Sequence, residues 1–186
     1  MTTLLEARNE APVQFLWGTN VLVEEAELQD IVRPDVRLSE TGPICEDLDP
    51  ALFVTDQAAL EEMFLSGMNA VARMDAAPPV ALVSVRVQGW REGHGIPAAA
   101  DTSPYVGWCC LSATAAPSTA ESGCLSLADP RAGSDLTAMP GLPWGRQVLV
   151  RPVPGALTIA PGWLTHSVVP IEHGQQLVVA VATCSR

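Results

Sequence analysis

Three histidines are the side chains of this 186-residue sequence best suited to proton transfer near neutral pH: His94, His166 and His173. His166 lies in the apolar run WLTHSVVP, where strand alternation places Leu164 and Val168 on the same face. An imidazole in such a strand serves as a hydrogen-bonded core residue, a metal ligand or a general acid or base. The residue types alone leave these three roles open.

Cysteine is the second reactive type, with five residues: Cys45, Cys109, Cys110, Cys124 and Cys184. Their number is odd and no CxxC spacing occurs, so neither a disulfide framework nor a structural zinc site is predicted. We expect reduced thiols in the core. Because neighbours in a strand point to opposite faces, at most one of Cys109 and Cys110 faces a given pocket.

Hydrophobic spacing predicts one long helix and a series of strands that would position these residues. Asp56 is placed to cap a helix that continues to about Arg73. A β-type run is predicted at 15–25, a turn of helix at 26–32, and loops at 41–50, 97–104 and 129–144. Seven further strands predict an antiparallel sandwich or barrel: Val80–Trp90, Tyr105–Leu111, Gly123–Ala128, Gln147–Val153, Ala156–Ala160, Leu164–Val169 and Leu177–Thr183.

Length and composition predict one domain over residues 1–186. Hydrophobic residues make up 48% and charged residues 17%, with a mean hydropathy of +0.22, which excludes disorder for most of the chain. Ten arginines against 21 acidic residues give a net charge of −11, which repels nucleic acids and anionic membranes. We expect a cytoplasmic protein whose partner is a small-molecule substrate, and a homodimer is left open.

The C-terminal half carries the segments GCLSLADPR, VRPVPGALTIAPGWLTHSVVPIEHG and QQLVVAVA. Together with the earlier FLWGTNVLV and VSVRVQGWREG, this succession resembles the small bacterial branch of the iron(II)/2-oxoglutarate-dependent oxygenase superfamily. The W-L-x-H-x-V-x-P part is the most specific. The resemblance implies a mainly β fold, a double-stranded β-helix (jelly roll, cupin-like), with the long N-terminal-half helix packed on the outside.

The resemblance also implies a metal site. Such oxygenases hold iron through a His-x-Asp or His-x-His pair and a distal histidine, and His166 stands where the distal histidine belongs. Registering Gly107 on the family's glycine places Ala98 and Ala100 at the paired positions, where alanine cannot bind a metal. The family's 2-oxoglutarate-binding arginine corresponds to Gln176, which cannot neutralise a carboxylate. The implied site is therefore degenerate.

Two alternatives follow from these departures. His94 and Asp101 flank the alanines and would supply iron ligands if the loop were rearranged, although their spacing differs from the i, i+2 spacing of a strand face. Without iron, the barrel interior still offers a concave pocket. Alternation places Arg86, Gln88 and Trp90 on one face of their strand, and Gln176 on the same face as Val178 and Ala180.

These observations predict a tailoring enzyme that acts on a small organic molecule in the barrel pocket, by a non-standard step that is metal-independent and non-redox, such as cyclisation or elimination. The alternatives are an iron(II)/2-oxoglutarate hydroxylase with rearranged ligands and a non-catalytic binding or scaffold protein. The expected cofactors are accordingly none, or Fe(II) and 2-oxoglutarate. The candidate residues are His166, Tyr105 and Gln176 for catalysis; Arg86, Gln88, Trp90, Cys109, Trp108 and Trp163 for substrate binding; and His166, His94 and Asp101 for a metal.

Overall fold

The computed structural model describes residues 18–34, 37–114, 120–131, 133, 136 and 145–185. Its helices are a short α1, Pro50–Phe53, and a long α2, Gln57–Met74. The side chain of Asp56 caps α2, as the sequence predicts, by accepting a backbone N–H of the first turn at 2.9 Å. The buried face of α2 includes Leu60, Phe64, Met68 and Val71.

Among the described residues, ten strands pair in antiparallel ladders. In chain order they are β1 Leu22–Glu25, β2 Cys45–Leu48, β3 Leu82–Trp90, β4 Ile96–Ala99, β5 Tyr105–Ala113, β6 Leu125–Leu127, β7 Val148–Val150, β8 Ala156–Pro161, β9 His166–Val168 and β10 Leu177–Ser185.

The strands form two sheets. The larger sheet has the order β1-β8-β5-β10-β3-β2 and the smaller one β4-β9-β6-β7. From β3 to β10 the chain winds back and forth between the sheets, which is the path of a jelly roll. The predicted fold class is therefore confirmed, including the long helix, since α2 packs against β3, β5 and β8 of the larger sheet.

The larger sheet separates two hydrophobic clusters. Its helix-side face packs under α2, and its inner face packs against the smaller sheet. Strand β5 serves both clusters, because Cys109 is buried on the helix side while Trp108 is buried on the inner side. Gly107 permits close packing of the helix, since a Cβ there would lie 2.7 Å from side-chain carbons of Phe64 and Ile159.

The structure corrects two local predictions. Strand β2 lies in the segment predicted as the loop 41–50, and β4 begins one residue before the predicted loop 97–104. The turn predicted around 26–32 is present as a single turn, in which the Val32 N–H donates to the Leu28 carbonyl at 2.9 Å, and a bridge pairs Val32 with Val54. Both unpredicted strands pair with a neighbouring strand, β2 with β3 and β4 with β9. This tertiary pairing outweighs the weak local β-propensity of the two segments.

Most of the predicted loop 129–144, including Trp144, lies outside the described residues. In the part of the chain that is described, neither helix is both long and apolar enough to cross a membrane.

Candidate functional site

His166 begins β9, which lies between β4 and β6 in the smaller sheet. Its ring points between the sheets, where it meets Trp108 with ring centroids 4.6 Å apart and planes at 60°. Its Nδ1 lies 3.0 Å from the carbonyl oxygen of Leu164. Because a carbonyl can only accept, Nδ1 carries a proton, so that Nε2 is the nitrogen with the free lone pair whenever the ring holds a single proton. Strand β6, in the segment predicted as the strand Gly123–Ala128, pairs with β9 and places Leu127 opposite His166.

Asp101 follows β4 and is held by the backbone on both sides. Its N–H donates to the carbonyl of Gly162 at 2.8 Å, and its carboxylate accepts the N–H of Ser103 at 2.6 Å. The hydrogen bond from Ser103 is the main cause that lowers the pKa of Asp101, and the charges of His166 and Arg86 lower it further.

Arg86 lies on the inner face of the larger sheet, in the same row as Trp108. Both residues pair with Val181 of β10, one from each side. Arg86 is exposed, whereas Gln88 on the same strand is engaged: its amide donates to Asp47 at 2.9 Å and accepts from the Trp90 indole at 3.1 Å. The predicted shared face of Arg86, Gln88 and Trp90 is confirmed, and Arg86 is its accessible charged residue.

A cleft of about 650 Å³ opens next to Asp101. It brings together three of the predicted site residues, Asp101, Tyr105 and Trp163. The Trp163 side chain is 57% exposed, and the Tyr105 hydroxyl donates to Asp75 at 3.2 Å. The barrel interior is different, because the cavity beside Trp90 and Trp108 measures only about 30 Å³, room for about one water molecule.

The structure separates Cys109 from the inner face. Cys109 is fully buried under α2, whereas Cys110 lines the small inner cavity. Burial raises the pKa of both thiols to about 12, which keeps them protonated near neutral pH.

Gln176 and His94 also lie away from His166. Gln176 precedes β10 at the end of the sheet where Leu177 pairs with Trp90, and its side-chain amide donates to Ser39 O at 3.0 Å. Gln176 lines a surface pocket together with Leu38 and Val178, both of which belong to the cluster under α2. His94 precedes β4, at the opposite end of that strand from Asp101, and its ring contacts Trp90 with centroids 4.9 Å apart and planes tilted by 40°. Burial lowers the pKa of His94.

The ladder between β4 and β9 revises the expected metal positions. Ile96 pairs with Val168, but an irregularity follows, and Ala99 is the residue that pairs with His166. Counting residues from Gly107, the resemblance predicts Ala98 and Ala100 at the positions of the paired metal ligands. Counting residues does not detect the extra residue of a bulge.

The iron implied by the resemblance needs three protein donors. His166 and Asp101 are suitable donors, but Ala99 offers none, and the described residues contain no group of three His, Cys, Asp or Glu placed to hold a metal. The side chains present do not fit a three-donor iron site. They also do not fit the expected co-substrate contact, because the Gln176 amide donates to Ser39 O and lies five residues along the chain from Val181, the partner of Trp108.

Sequence reasoning missed two supporting residues. Leu164 supplies the carbonyl that orients His166, and Gly162 supplies the close backbone contact that holds Asp101. The P-G-W-L turn was visible in the sequence, but its contact with the 101–104 loop joins segments about sixty residues apart.

No protein-family model matches the chain, and no curated protein matches it. Among solved structures, a prolyl-4-hydroxylase of Pseudomonas putida is similar with a TM-score of 0.49 and 15% identity, over 76% of this chain and 71% of that one. The non-heme α-ketoglutarate-dependent epimerase SnoN of nogalamycin biosynthesis has a TM-score of 0.47 and 19% identity, over 80% and 66%. The carbocyclase SnoK of the same biosynthesis has 0.44 and 17%, over 69% and 59%.

2-Oxoglutarate/iron(II)-dependent enzymes are thus among the solved structures to which this chain is similar.

Proposed function

We propose that this protein is an enzyme that acts on a small organic molecule at the end of the jelly roll near His166, by metal-independent proton transfer. The observation that supports this most directly is the hydrogen bond from His166 Nδ1 to the Leu164 carbonyl. It fixes the tautomer and the ring orientation, so that Nε2 is available as a general base.

The surrounding side chains suit that role. Nε2 takes a proton from a carbon next to a substrate carbonyl, and the electrons of the broken C–H bond move to the carbonyl oxygen. Asp101 is ionised at neutral pH, as an ordinary aspartate is, and the hydrogen bond from Ser103 lowers its pKa further; its negative charge stabilises the imidazolium that forms. The exposed guanidinium of Arg86 is the positive charge on this face that favours the developing oxyanion.

The reaction then ends in one of two ways. In elimination, the carbanion expels a leaving group from the neighbouring carbon, and the proton on Nε2 leaves with that group. In cyclisation, the carbanion attacks a second carbonyl carbon of the same molecule, the π electrons of that C=O bond move to its oxygen, and the proton on Nε2 passes to the alkoxide that forms. The cleft between Asp101 and Trp163 has the volume to hold the rest of the substrate, with the exposed indole as an apolar wall.

Solvent-deuterium exchange tests this proposal without knowledge of the natural substrate. Purified protein is incubated in D₂O with a panel of ketones and 2-oxo acids in the presence of a chelator, and deuterium at the α-carbon is followed by NMR. We expect catalysed exchange on at least one compound, reduced by roughly 10²–10⁴-fold in His166→Gln. His173→Gln is the matched control, because His173 is an exposed histidine paired with Glu92. Equal exchange in wild type and His166→Gln would overturn the proposal.

A second candidate is a non-catalytic binding or scaffold protein. The small inner cavity supports it, because side chains fill most of the space between the sheets. This candidate expects no exchange with any compound of the panel and no difference between His166→Gln and His173→Gln.

A further inference from the structure

The indole of Trp163 is the aromatic wall of the cleft of about 650 Å³ beside Asp101. Backbone hydrogen bonds hold the turn that carries it. The Leu164 N–H donates to the Pro161 carbonyl at 3.0 Å, and the Gly162 N–H donates to the carbonyl of the facing loop at 3.0 Å. Trp163 nevertheless remains 57% exposed. The structure thus fixes the backbone of this residue and leaves much of its aromatic surface open to a ligand.

Two carboxylates reach the same cleft from different elements. Asp101 follows β4, and its carboxylate accepts the Ser103 N–H at 2.6 Å. Asp75 follows α2 as its C-cap, and its two oxygens accept the Asn20 amide at 2.7 Å and the Tyr105 hydroxyl at 3.2 Å. All of these donors are neutral, so they orient the two carboxylates without cancelling their charge.

No basic side chain balances this charge inside the cleft. The described residues that line it include both aspartates and neither an arginine nor a histidine. Among the described residues, neither carboxylate forms an ion pair. Arg86 and His166, whose charges act on Asp101, do not line the cleft. Since the whole chain has a net charge of −11, the cleft is a region of negative potential with an aromatic wall.

This combination suits an organic cation better than a metal ion. Carboxylates attract both, but the indole is the aromatic group that attracts an ammonium ion most strongly through its ring face. Hard metal ions take oxygen ligands and gain nothing from an indole. The volume of the cleft also falls within the range of small-molecule sites, roughly 300–1,000 Å³.

We infer that the cleft between Trp163, Asp75 and Asp101 binds the ammonium group of a small organic molecule, either a protonated or a quaternary amine. The inference rests on the proposed function where it names the substrate class, a ketone or 2-oxo acid that carries such a group. Binding of the cation itself is measured without turnover, so it is tested separately.

Choline and 3,3-dimethylbutan-1-ol form a matched pair of probes. The two molecules have nearly the same shape, but the alcohol has a carbon atom in place of the ammonium nitrogen and is neutral. Each is titrated into ¹⁵N-labelled protein at about 0.15 M NaCl, where weak attraction to distant surface charges is screened. The indole and backbone N–H signals of the cleft are followed by NMR. We expect saturable binding of choline, at least about 10-fold tighter than that of the alcohol.

Three variants test the named side chains. D75N and D101N should each weaken choline binding roughly 3–10-fold, because each removes one negative charge close to the ammonium group. W163L keeps an apolar side chain but removes the ring, and should weaken binding roughly 2–5-fold. E62Q is the matched control, because Glu62 is an exposed acid of α2 that does not line the cleft. It should bind choline like wild type.

H166Q separates this inference from the proposed function. It should bind choline like wild type even where it loses deuterium exchange, so absent exchange with intact choline binding counts against the proton transfer and not against the cleft. The inference is overturned if wild type shows no saturable binding of choline, if the alcohol binds as tightly, or if E62Q weakens binding as much as D75N. It is also overturned if folded D101N and W163L both bind like wild type, a comparison that holds even if D75N does not fold.

Discussion

Replacing Gly162 with alanine should displace the loop that holds Asp101. A Cβ built on Gly162 would lie 1.8 Å from the backbone oxygen of Ser103 and 3.0 Å from that of Asp101. Neither backbone oxygen can rotate away as a side chain can. Because real Cβ atoms essentially never come within 3.0 Å of such an atom, the two segments must separate by more than 1 Å.

The cost follows from the hydrogen bonds that join the two segments. The Asp101 N–H donates to Gly162 O at 2.8 Å, and the Gly162 N–H donates to Pro104 O at 3.0 Å. Losing both should lower the free energy of unfolding by about 1–3 kcal/mol, at about 0.5–1.5 kcal/mol for each hydrogen bond. The same movement takes Ser103 away from the Asp101 carboxylate, so the pKa of Asp101 should rise toward its ordinary value.

Urea unfolding measures the first effect, and NMR titration of the Asp101 carboxyl measures the second. Gly93→Ala is the control, because Gly93 has a φ of +80° and nothing within 4 Å of an added Cβ. It should cost about 1 kcal/mol from backbone strain without moving Asp101. A Gly162→Ala protein that unfolds like wild type and leaves the pKa of Asp101 unchanged would refute the reasoning.

Three further predictions concern single side chains. His166→Ala should lower the free energy of unfolding by about 1–3 kcal/mol, because it removes the bond to Leu164 and the edge contact with Trp108; urea unfolding checks this, and no change would contradict it. Because the folded-state pKa of Asp101 is lowered, its contribution to stability is present above the unfolded-state pKa of 3.8 and is lost as the pH falls through the folded value. Asp101→Asn should therefore be less stable than wild type near neutral pH, and unfolding curves at decreasing pH should converge. Burial keeps the Cys109 thiol protonated, so a thiol reagent near pH 8 should label the half-buried Cys45 before Cys109. Mass spectrometry of the labelled native protein measures the order, and earlier labelling of Cys109 would contradict this prediction.

The parts of the fold that the sequence predicted are those with a strong local pattern. Helix α2 has both a capping residue, Asp56, and apolar residues at helical spacing, so its bounds differ from the prediction by about one residue. Strand β2 contains Glu46 and Asp47, and β4 contains Pro97 and two alanines, so neither has a β-type composition. Their pairing with β3 and β9 is a property of the assembled sheets.

The candidate site was predicted in part for a related reason. Alternation placed Arg86 on the same face as Trp90, which packs in the inner cluster, and Gln176 with Val178, which packs in the cluster under α2. It did not reveal that these two faces are opposite sides of the larger sheet. Strands β5 and β10 are buried on both faces, so their apolar pattern carries no mark of which face lies under α2. The choice between Cys109 and Cys110 was undecidable for the same reason.

The run of three alanines at 98–100 has a consequence for how β4 keeps its alignment. Sliding this run by one residue exchanges one methyl group for another, so these side chains do not distinguish the correct alignment from a slipped one. The alignment depends on what lies at its two ends, the pairing of Ile96 with Val168 and the backbone bond of Asp101 to Gly162. If either of these contacts is weakened, β4 can shift by one residue along β9. A different residue of β4 would then lie opposite His166, although the sequence of the run is unchanged.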